Sequence, residues 1–140
     1  MKSYLFILPV LLLAILMVSC KDKGISPAAS VKGRWNIIND TTAYGLGPTV
    51  SRTNYKGVPG DYFDFRDDGY VYVKEGAKLD TLKYTVISGY SLQIQGFGWN
   101  LNGKQSYSTL NYTSPITVSI TSEALNIPSG TNWRSVNLSR

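Results

Sequence analysis

The sequence predicts an all-β protein, an eight-stranded antiparallel up-and-down barrel that occupies residues 31–140. Short runs in which apolar and polar side chains alternate recur throughout this range, which is the pattern of strands with one buried face. Turn signals such as Asn102-Gly103 separate most of these runs, and they favour hairpins between neighbouring strands. A chain of hairpins must protect its two edges, and closure at eight strands leaves an interior that holds side chains or one small ligand.

The first strand begins the barrel around Gly33-Arg34-Trp35. Val31, Trp35 and Ile37 alternate with polar residues, so the inner face of this strand carries a tryptophan near its start. Residues 39–60 are rich in glycine, proline and hydroxyl side chains and show no sustained period. They predict a long loop with enough apolar residues to fold over the barrel as a lid.

The second and third strands form the clearest hairpin of the sequence. Asp67-Asp68-Gly69 has the composition of a three-residue loop whose glycine adopts a positive φ. This turn places Phe65 opposite Val71 and Phe63 opposite Val73. All four side chains then lie on one face, so burial and turn geometry specify the same register.

The fourth and fifth strands show the same agreement. A loop at Ser88-Gly89-Tyr90 places Val86 opposite Leu92 and Tyr84 opposite Ile94, all on the inner face.

Two glycines interrupt the chain after the fifth strand. At Gly96 and Gly98 the apolar residues move from the parity of Leu92 and Ile94 to that of Phe97 and Trp99. Glycines within a strand mark a bulge or a sharp bend, which a closing barrel needs.

A β-sandwich is the alternative, but it requires more long connections than the sequence provides. Three further strands complete the barrel, with the inward residues Leu110 and Tyr112, then Ile116, Val118 and Ile120, and finally Val136 and Leu138.

Residues 1–20 have the features of a lipoprotein signal peptide. Lys2 precedes an apolar run over residues 4–18 that is too short for a stable transmembrane helix. The run ends in Leu16-Met17-Val18-Ser19-Cys20, which resembles the bacterial lipobox. The resemblance implies that Cys20 is acylated and becomes the first residue of the mature protein. A lone core cysteine after an ordinary signal peptide is the alternative.

Residues 21–30 are polar and predict a flexible tether between the anchor and the barrel. Within them, Lys21-Asp22-Lys23 resembles the charged export signals of Bacteroidetes-type lipoproteins. We therefore expect a protein held in the outer membrane by palmitate-type acyl chains, each buried methylene contributing about 0.8 kcal/mol. The barrel would face either the periplasm or the cell surface.

The composition excludes several classes of function. The chain has no histidine and only one cysteine, the residue of the lipobox. The mature protein therefore lacks disulfides, a thiol nucleophile and the commonest general base and metal ligand, and we predict no enzyme, no metal site and no cofactor. The net charge of +5 comes from scattered basic residues, which indicates no nucleic-acid partner. The oligomeric state is left open.

The densest acidic cluster comprises Asp61, Asp64, Asp67 and Asp68. A calcium loop requires oxygen ligands alternating over about a dozen residues and a closing glutamate, and this segment lacks that pattern. We predict that these carboxylates serve the hairpin itself.

The chain resembles the lipocalin and calycin pattern at Gly33-Arg34-Trp35 and at the terminal Arg140. In that pattern a basic side chain caps the tryptophan at the closed end of the barrel, which assigns Gly33, Trp35 and Arg140 to barrel closure. A cation over an indole contributes about 0.5–2 kcal/mol. The whole of residues 31–140 resembles the small lipocalin-like domains of Bacteroidetes lipoproteins, most recognisably at Gly60-Asp61-Tyr62-Phe63-Asp64-Phe65-Arg66.

Ten tyrosines, four phenylalanines and three tryptophans supply candidates for a binding site. We predict a lipid-anchored lipocalin-like protein of the cell envelope that binds a small apolar or amphipathic molecule. The alternative is a structural or interaction module whose barrel is filled by its own side chains and which binds a protein or glycan partner. The candidate ligand-binding residues, at a mouth suited to an apolar or sugar-like molecule, are Tyr44, Tyr55, Tyr84, Phe97, Trp99 and Tyr112.

Overall fold

The computed structural model describes residues 31–46, 49–127 and 130–140. The predicted signal peptide, Cys20 and the tether over residues 21–30 lie outside the described residues. The strands are β1 (Gly33–Leu46), β2 (Thr49–Lys56), β3 (Tyr62–Phe65), β4 (Tyr70–Glu75), β5 (Lys78–Ser88), β6 (Ser91–Ile94), β7 (Asn100–Leu101), β8 (Lys104–Gln105), β9 (Ser108–Ser114), β10 (Thr117–Ser122), β11 (Leu125–Ile127) and β12 (Gly130–Ser139).

Eight of these strands form a closed antiparallel barrel, which confirms the predicted fold class. Their order around the barrel is β1-β3-β4-β5-β6-β9-β10-β12, and β12 pairs back with β1 to close it. Every barrel strand therefore lies next to the barrel strand that follows it in the chain, as in an up-and-down barrel.

The hairpin registers are those that the sequence predicts. Phe65 pairs with Val71 and Phe63 with Val73 across β3 and β4. The turn between these strands contains Gly69 at a φ of +81°. In the next hairpin, Tyr84 pairs with Ile94 and Val86 with Leu92. The predicted loop of this second hairpin was too long, since Ser88 still belongs to β5 and pairs with Ser91, and a register shift between Val86 and Ser88 keeps Val86 opposite Leu92.

The prediction of a long loop over residues 39–60 was wrong. β1 continues to Leu46, β2 returns beside it, and β12 stays paired with β1 as far as Gly130. Together with β11 these strands form a four-stranded ribbon, β11-β12-β1-β2, beyond the barrel. The alternation of apolar residues is missing because β2 is exposed along nearly all of its length, so no buried face imposes a period of two.

Two smaller features refine the second half of the barrel. Asn102 and Gly103 have φ values of +52° and +77°, as a two-residue hairpin turn requires, and they join β7 to β8. The prediction that Ile116 points inward was wrong, since it is 58% exposed in the turn before β10. Ile116 has the same parity as Val118 and Ile120, but it precedes β10, which begins at Thr117, so no neighbouring strand covers it.

One continuous hydrophobic core fills the barrel. Its two ends differ: we call the end that holds Trp35, Phe65 and Arg140 the closed end, and the opposite end, where Asp40 and Arg134 lie, the mouth. No helix among the described residues is long and apolar enough to span a membrane. The largest fully buried side chains are Trp35, Phe63, Phe65, Phe97, Leu92 and Ile94.

Candidate functional site

The mouth of the barrel holds a cluster of three charged side chains. Arg134 donates from Nε and Nη2 to Asp40 Oδ2 at 2.9 and 2.6 Å, and Nη2 also donates to Glu75 Oε1 at 2.6 Å. The side chains of Arg134, Asp40 and Glu75 are only 14%, 5% and 15% exposed. One buried guanidinium therefore bridges two buried carboxylates that are far apart in the sequence.

Strand parity explains why these groups face inward. Glu75 continues the inward series of Val71 and Val73, and Arg134 precedes Val136 in the same alternation on β12. Asp40 faces inward because a bulge between Ile37 and Asn39 shifts the parity of β1. The sequence analysis overlooked all three residues, although extending the alternation by one position would have found Glu75 and Arg134.

The charges of the cluster are strongly coupled. Burial raises the pKa of the Glu75 carboxyl, and a hydrogen bond and the charge of Asp40 raise it further, against the opposing effect of Arg134. Burial by itself would lower the pKa of Arg134, but the two carboxylates outweigh it, so this pKa is raised and the guanidinium stays charged. The cluster thus holds one cation between two carboxylates, and burial raises the pKa of Glu75.

A second buried carboxylate organises the turns beside the cluster. Asp61 accepts hydrogen bonds from the Tyr55 hydroxyl and from the amides of Val58 and Gly76, the latter two at 2.9 and 2.8 Å. Burial would raise the pKa of Asp61, but these three donors outweigh it and lower the pKa. The hydrogen bond between Tyr55 and Asp61 raises the pKa of the Tyr55 hydroxyl to about 12. Asp61 is therefore a structural hub rather than part of the hairpin turn.

Asp64 and Asp68 serve the hairpin, as the sequence predicts, whereas Asp67 forms its ion pair with a residue outside the hairpin. Asp68 accepts from the Tyr70 amide and the Tyr72 hydroxyl at 2.9 Å. Asp64 pairs with Arg66 at 2.9 Å, and Asp67 pairs with Lys32. No group of three or more residues suited to hold a metal ion occurs among the described residues.

The segment between β6 and β9 closes the mouth with Phe97. This ring is buried and lies edge-on to Phe63 at a centroid distance of 6.3 Å. The Arg134 guanidinium carbon lies 4.9 Å from the Phe97 centroid and 5.9 Å from that of Phe63. Phe97 and Arg134 thus occupy the position through which a ligand would enter the barrel.

A glycine holds this segment against the barrel wall. Gly98 has a φ of +124°, and a Cβ there would overlap the Ser106 hydroxyl and lie 2.6 Å from the Ser122 Cβ. The Ser106 amide donates to the Trp99 carbonyl at 2.9 Å. We call residues 95–107 the mouth loop, because they perform the covering role that the sequence analysis assigned to residues 39–60.

A small polar cleft remains above the cluster. It has a volume of about 310 Å³, near the lower end of the range of ligand sites. Its walls offer hydroxyl groups, carboxylates and two cations, so it suits a small polar group rather than a lipid chain. The lining residues are Asp40, Thr42, Thr53, Tyr55, Glu75, Lys78 and Arg134.

Three of the predicted ligand-binding aromatic residues belong to the core. Tyr84 packs edge-on against Phe65 at 5.2 Å and donates its hydroxyl to the Arg66 carbonyl at 2.9 Å, near the closed end. Tyr112 is half-buried against the core, and Phe97 is buried at the mouth. These side chains fill the barrel rather than line a space in it.

The other three candidates lie apart from one another. Tyr44 is 56% exposed on the ribbon, and Tyr55 is bound to Asp61. Trp99 lies on the mouth loop and lines a separate cleft. The six candidates therefore do not form one site.

The three residues assigned to barrel closure lie together. The Arg140 guanidinium carbon is 3.9 Å from the centroid of the Trp35 ring, and Arg140 also donates to the Lys32 carbonyl. The Trp35 indole donates to the Val31 carbonyl at 2.7 Å. Gly33 has a φ of +98°, and a Cβ there would lie 3.6 Å from the Arg140 guanidinium.

Comparison with known proteins gives no match among protein families, curated proteins or solved structures. The barrel is compatible with ligand binding, and its own geometry is the basis for any assignment of function.

Proposed function

We propose that this protein is a lipid-anchored, non-enzymatic binding module of the outer membrane whose barrel is filled by its own side chains. Recognition then takes place on the surface around the mouth, where a glycan or protein partner binds. This is the alternative that the sequence analysis left open, and it replaces an apolar cargo inside the barrel as the preferred function.

The single observation that carries this proposal is the closure of the mouth. Phe97 packs on Phe63 inside the barrel, and Arg134 covers Phe97 while bound to two carboxylates. A cargo in the interior would have to displace a buried ring and break a buried ion cluster. Breaking such a cluster costs about 3–5 kcal/mol.

The same cluster argues against catalysis by the acid pair. Paired carboxylates perform acid and base chemistry when one of them is free to meet a substrate. Here Arg134 holds both Asp40 and Glu75 at hydrogen-bond distance. The pair is thereby committed to the closure of the mouth.

One observation favours the second candidate, a carrier of a small apolar molecule. Phe97, whose ring closes the interior, lies between two glycines in the mouth loop and not on a barrel strand. Movement of the mouth loop would remove Phe97 and open an apolar space next to Phe63.

Native mass spectrometry of the mature lipoprotein, purified from its host, distinguishes the two candidates. Extraction after denaturation should release no stoichiometric apolar molecule from the natural protein. The Phe97→Ala variant, which removes the ring but leaves the ion cluster, serves as the comparison and should take up added benzene, a molecule that fits the space of one lost ring. A stoichiometric apolar molecule released from the natural protein would contradict the filled-barrel proposal and support the carrier.

A further inference from the structure

We infer that the outer side of the mouth loop carries a binding site for a neutral saccharide, in a cleft that we call the Trp99 cleft. The inference deepens the proposed function and rests on it, because it names the class of ligand and the place on the surface. The lining residues that matter are Gln93, Trp99, Lys104, Gln105, Tyr107 and Glu123.

The Trp99 cleft is large enough for a sugar ring or two. Its volume of about 500 Å³ lies inside the range of small-molecule sites, about 300–1,000 Å³. It lies between the β7–β8 hairpin and the ends of β6 and β10, so a barrel wall and a hairpin form its two sides. Gly98 presses the mouth loop against Ser122, which fixes Trp99 in place.

Polar groups in this corner of the molecule are incompletely satisfied. The indole Nε1 of Trp99 and the Oγ of Ser108 are buried and have no hydrogen-bond partner among the described residues. A buried donor or acceptor left unpaired costs about 1–3 kcal/mol, so such an atom calls for a ligand or an ordered water. Both atoms belong to residues of the mouth loop or its junction with β9.

Two hydrogen bonds that involve side chains lining the Trp99 cleft are long. Gln93 Nε2 lies 3.5 Å from the Gln105 carbonyl, and the Tyr107 amide lies 3.4 Å from Glu123 Oε2. Ordinary N–H···O bonds have donor–acceptor distances of about 2.7–3.2 Å. The amide and the carboxylate therefore keep capacity for a ligand.

These lining groups select the chemistry of the ligand. Glutamine side chains both donate and accept hydrogen bonds, and so do sugar hydroxyls. A glutamine amide can therefore pair with a sugar hydroxyl in either direction. Lys104 and Glu123 carry opposite charges, so the site has no net preference for an anion or a cation. An apolar chain would leave all of these groups unpaired, which is costly.

Aromatic side chains supply the remaining component. Trp99 and the 46% exposed Tyr107 line the same cleft. The negative face of an aromatic ring attracts the positive C–H edge of another group, and the apolar face of a pyranose presents such C–H groups. Ring faces next to groups that donate and accept hydrogen bonds match the two kinds of surface on a neutral sugar.

Nitrogen-15 NMR of the mature lipoprotein in a detergent without sugar head groups tests the inference. The probes are neutral oligosaccharides of glucose, mannose, galactose and N-acetylglucosamine, in α and β linkage, with palmitate as the contrasting probe. One of the saccharides should shift the Trp99 indole resonance. The Trp35 indole, which donates to Val31 inside the barrel, should not move.

Three variants connect the response to the cleft, with the backbone amide of Lys104 as the reporter. Trp99→Ala should weaken saccharide binding by about tenfold or more, since it removes the stacking face. Trp99→Phe keeps a ring but removes the N–H, and it should recover part of the loss. Tyr90→Ala is the matched control, because Tyr90 is an exposed aromatic residue outside the cleft, and it should leave binding unchanged.

Several results would overturn the inference. They are the absence of any shift with all of the saccharides, a shift of Trp99 caused by palmitate alone, or equal binding by Trp99→Ala and the natural protein. If no saccharide binds and denaturation releases no apolar molecule, the saccharide site is wrong and the filled barrel stands. If an apolar molecule is released, the proposed function itself fails.

Discussion

Arg134 reconciles a polar mouth with an aromatic core. Its guanidinium lies near the face of Phe97, an arrangement that favours a cation. Its donors point to Asp40 and Glu75, so each of the three charged groups has a partner of opposite charge although all are largely removed from water. Buried charges are tolerated only when they are paired and hydrogen-bonded in this way.

We expect Arg134→Met to lower the free energy of unfolding by about 3–5 kcal/mol, because it leaves two carboxylates buried without their cation. Urea denaturation at neutral pH measures the change. Arg66→Met is the matched control: Arg66 pairs with Asp64 at the surface, and its loss should cost about 1 kcal/mol or less. Adding Asp40→Asn and Glu75→Gln to Arg134→Met should restore part of the stability. Equal losses for the two arginine variants would contradict the buried-cluster interpretation.

The raised pKa of Glu75 makes a prediction about pH. Burial, its largest cause, means that the folded protein holds this proton more tightly than the unfolded chain does. The stabilising contribution of that proton is complete below the ordinary glutamate value of 4.5 and is lost as the pH rises through the raised value. Asp61 acts in the opposite direction: its stabilisation is lost only as the pH falls through a pKa below 3.8.

Glu75→Gln should therefore remove the part of the pH dependence of folding stability that comes from this carboxyl. As the pH falls from neutrality toward the ordinary glutamate value of 4.5, the melting temperature of the natural protein should rise relative to that of Glu75→Gln. Thermal unfolding followed by circular dichroism measures the difference at each pH. Glu123→Gln, a change at an exposed residue, provides the comparison and should follow the natural protein. A constant difference between Glu75→Gln and the natural protein over this range would show that Glu75 does not titrate as proposed.

At the scale of elements, strands with a buried face were predictable and strands without one were not. Phe63, Phe65, Val71 and Val73 alternate because one face of the sheet is dry, so the sequence specifies their pairing. β2 has no such constraint, since its stability comes from backbone pairing with β1 on the ribbon. Residue types alone do not reveal that kind of strand.

The mouth was only partly predictable for a related reason. Glu75 and Arg134 follow the parity of their strands, so their inward position is implicit in the alternation. The inward position of Asp40 does not follow from the alternation, because a bulge changes the parity of β1 just before this residue. The change of parity at Phe97 was visible, but the contact of this ring with Phe63 depends on how the mouth loop folds back over the barrel.

The mouth loop gives a prediction of its own. In Gly98→Ala, the new methyl group meets Ser106 and Ser122, and we expect a loss of about 1–3 kcal/mol from overpacking in addition to backbone strain. Displacement of the loop should also withdraw Phe97 and increase the binding of an apolar fluorescent dye. Gly96→Ala is the matched control, since its φ of +75° carries strain but its Cβ would have no neighbour within 4 Å. Similar stability and dye binding in both variants would show that Gly98 does not hold the loop.

At the scale of the whole molecule, the chain enters the barrel at the closed end. Val31 accepts the Trp35 indole hydrogen bond there, and Arg140 covers the same tryptophan. If Cys20 carries the acyl chains, only ten residues separate it from Val31 at the closed end. From Gly33 to Asp40, β1 rises by about 20 Å or more. For a lipid-anchored protein we therefore expect the closed end to lie near the membrane and the mouth to lie farther away.

This expected orientation can be measured with single labels, because Cys20 is the only cysteine of the sequence and its acylation would leave no free thiol. Asp67→Cys places a fluorophore at the exposed turn of the closed end, and Leu79→Cys places one at the exposed edge of the mouth. In reconstituted vesicles, quenchers embedded in the bilayer should reduce the emission at residue 67 more than at residue 79. Both labels should lose this quenching when Cys20→Ala releases the protein from the membrane. Equal quenching at the two positions would mean that the barrel lies on its side, and quenching that persists without Cys20 would place the anchor elsewhere. In the expected orientation the mouth and the Trp99 cleft would face away from the membrane, where a partner could reach them.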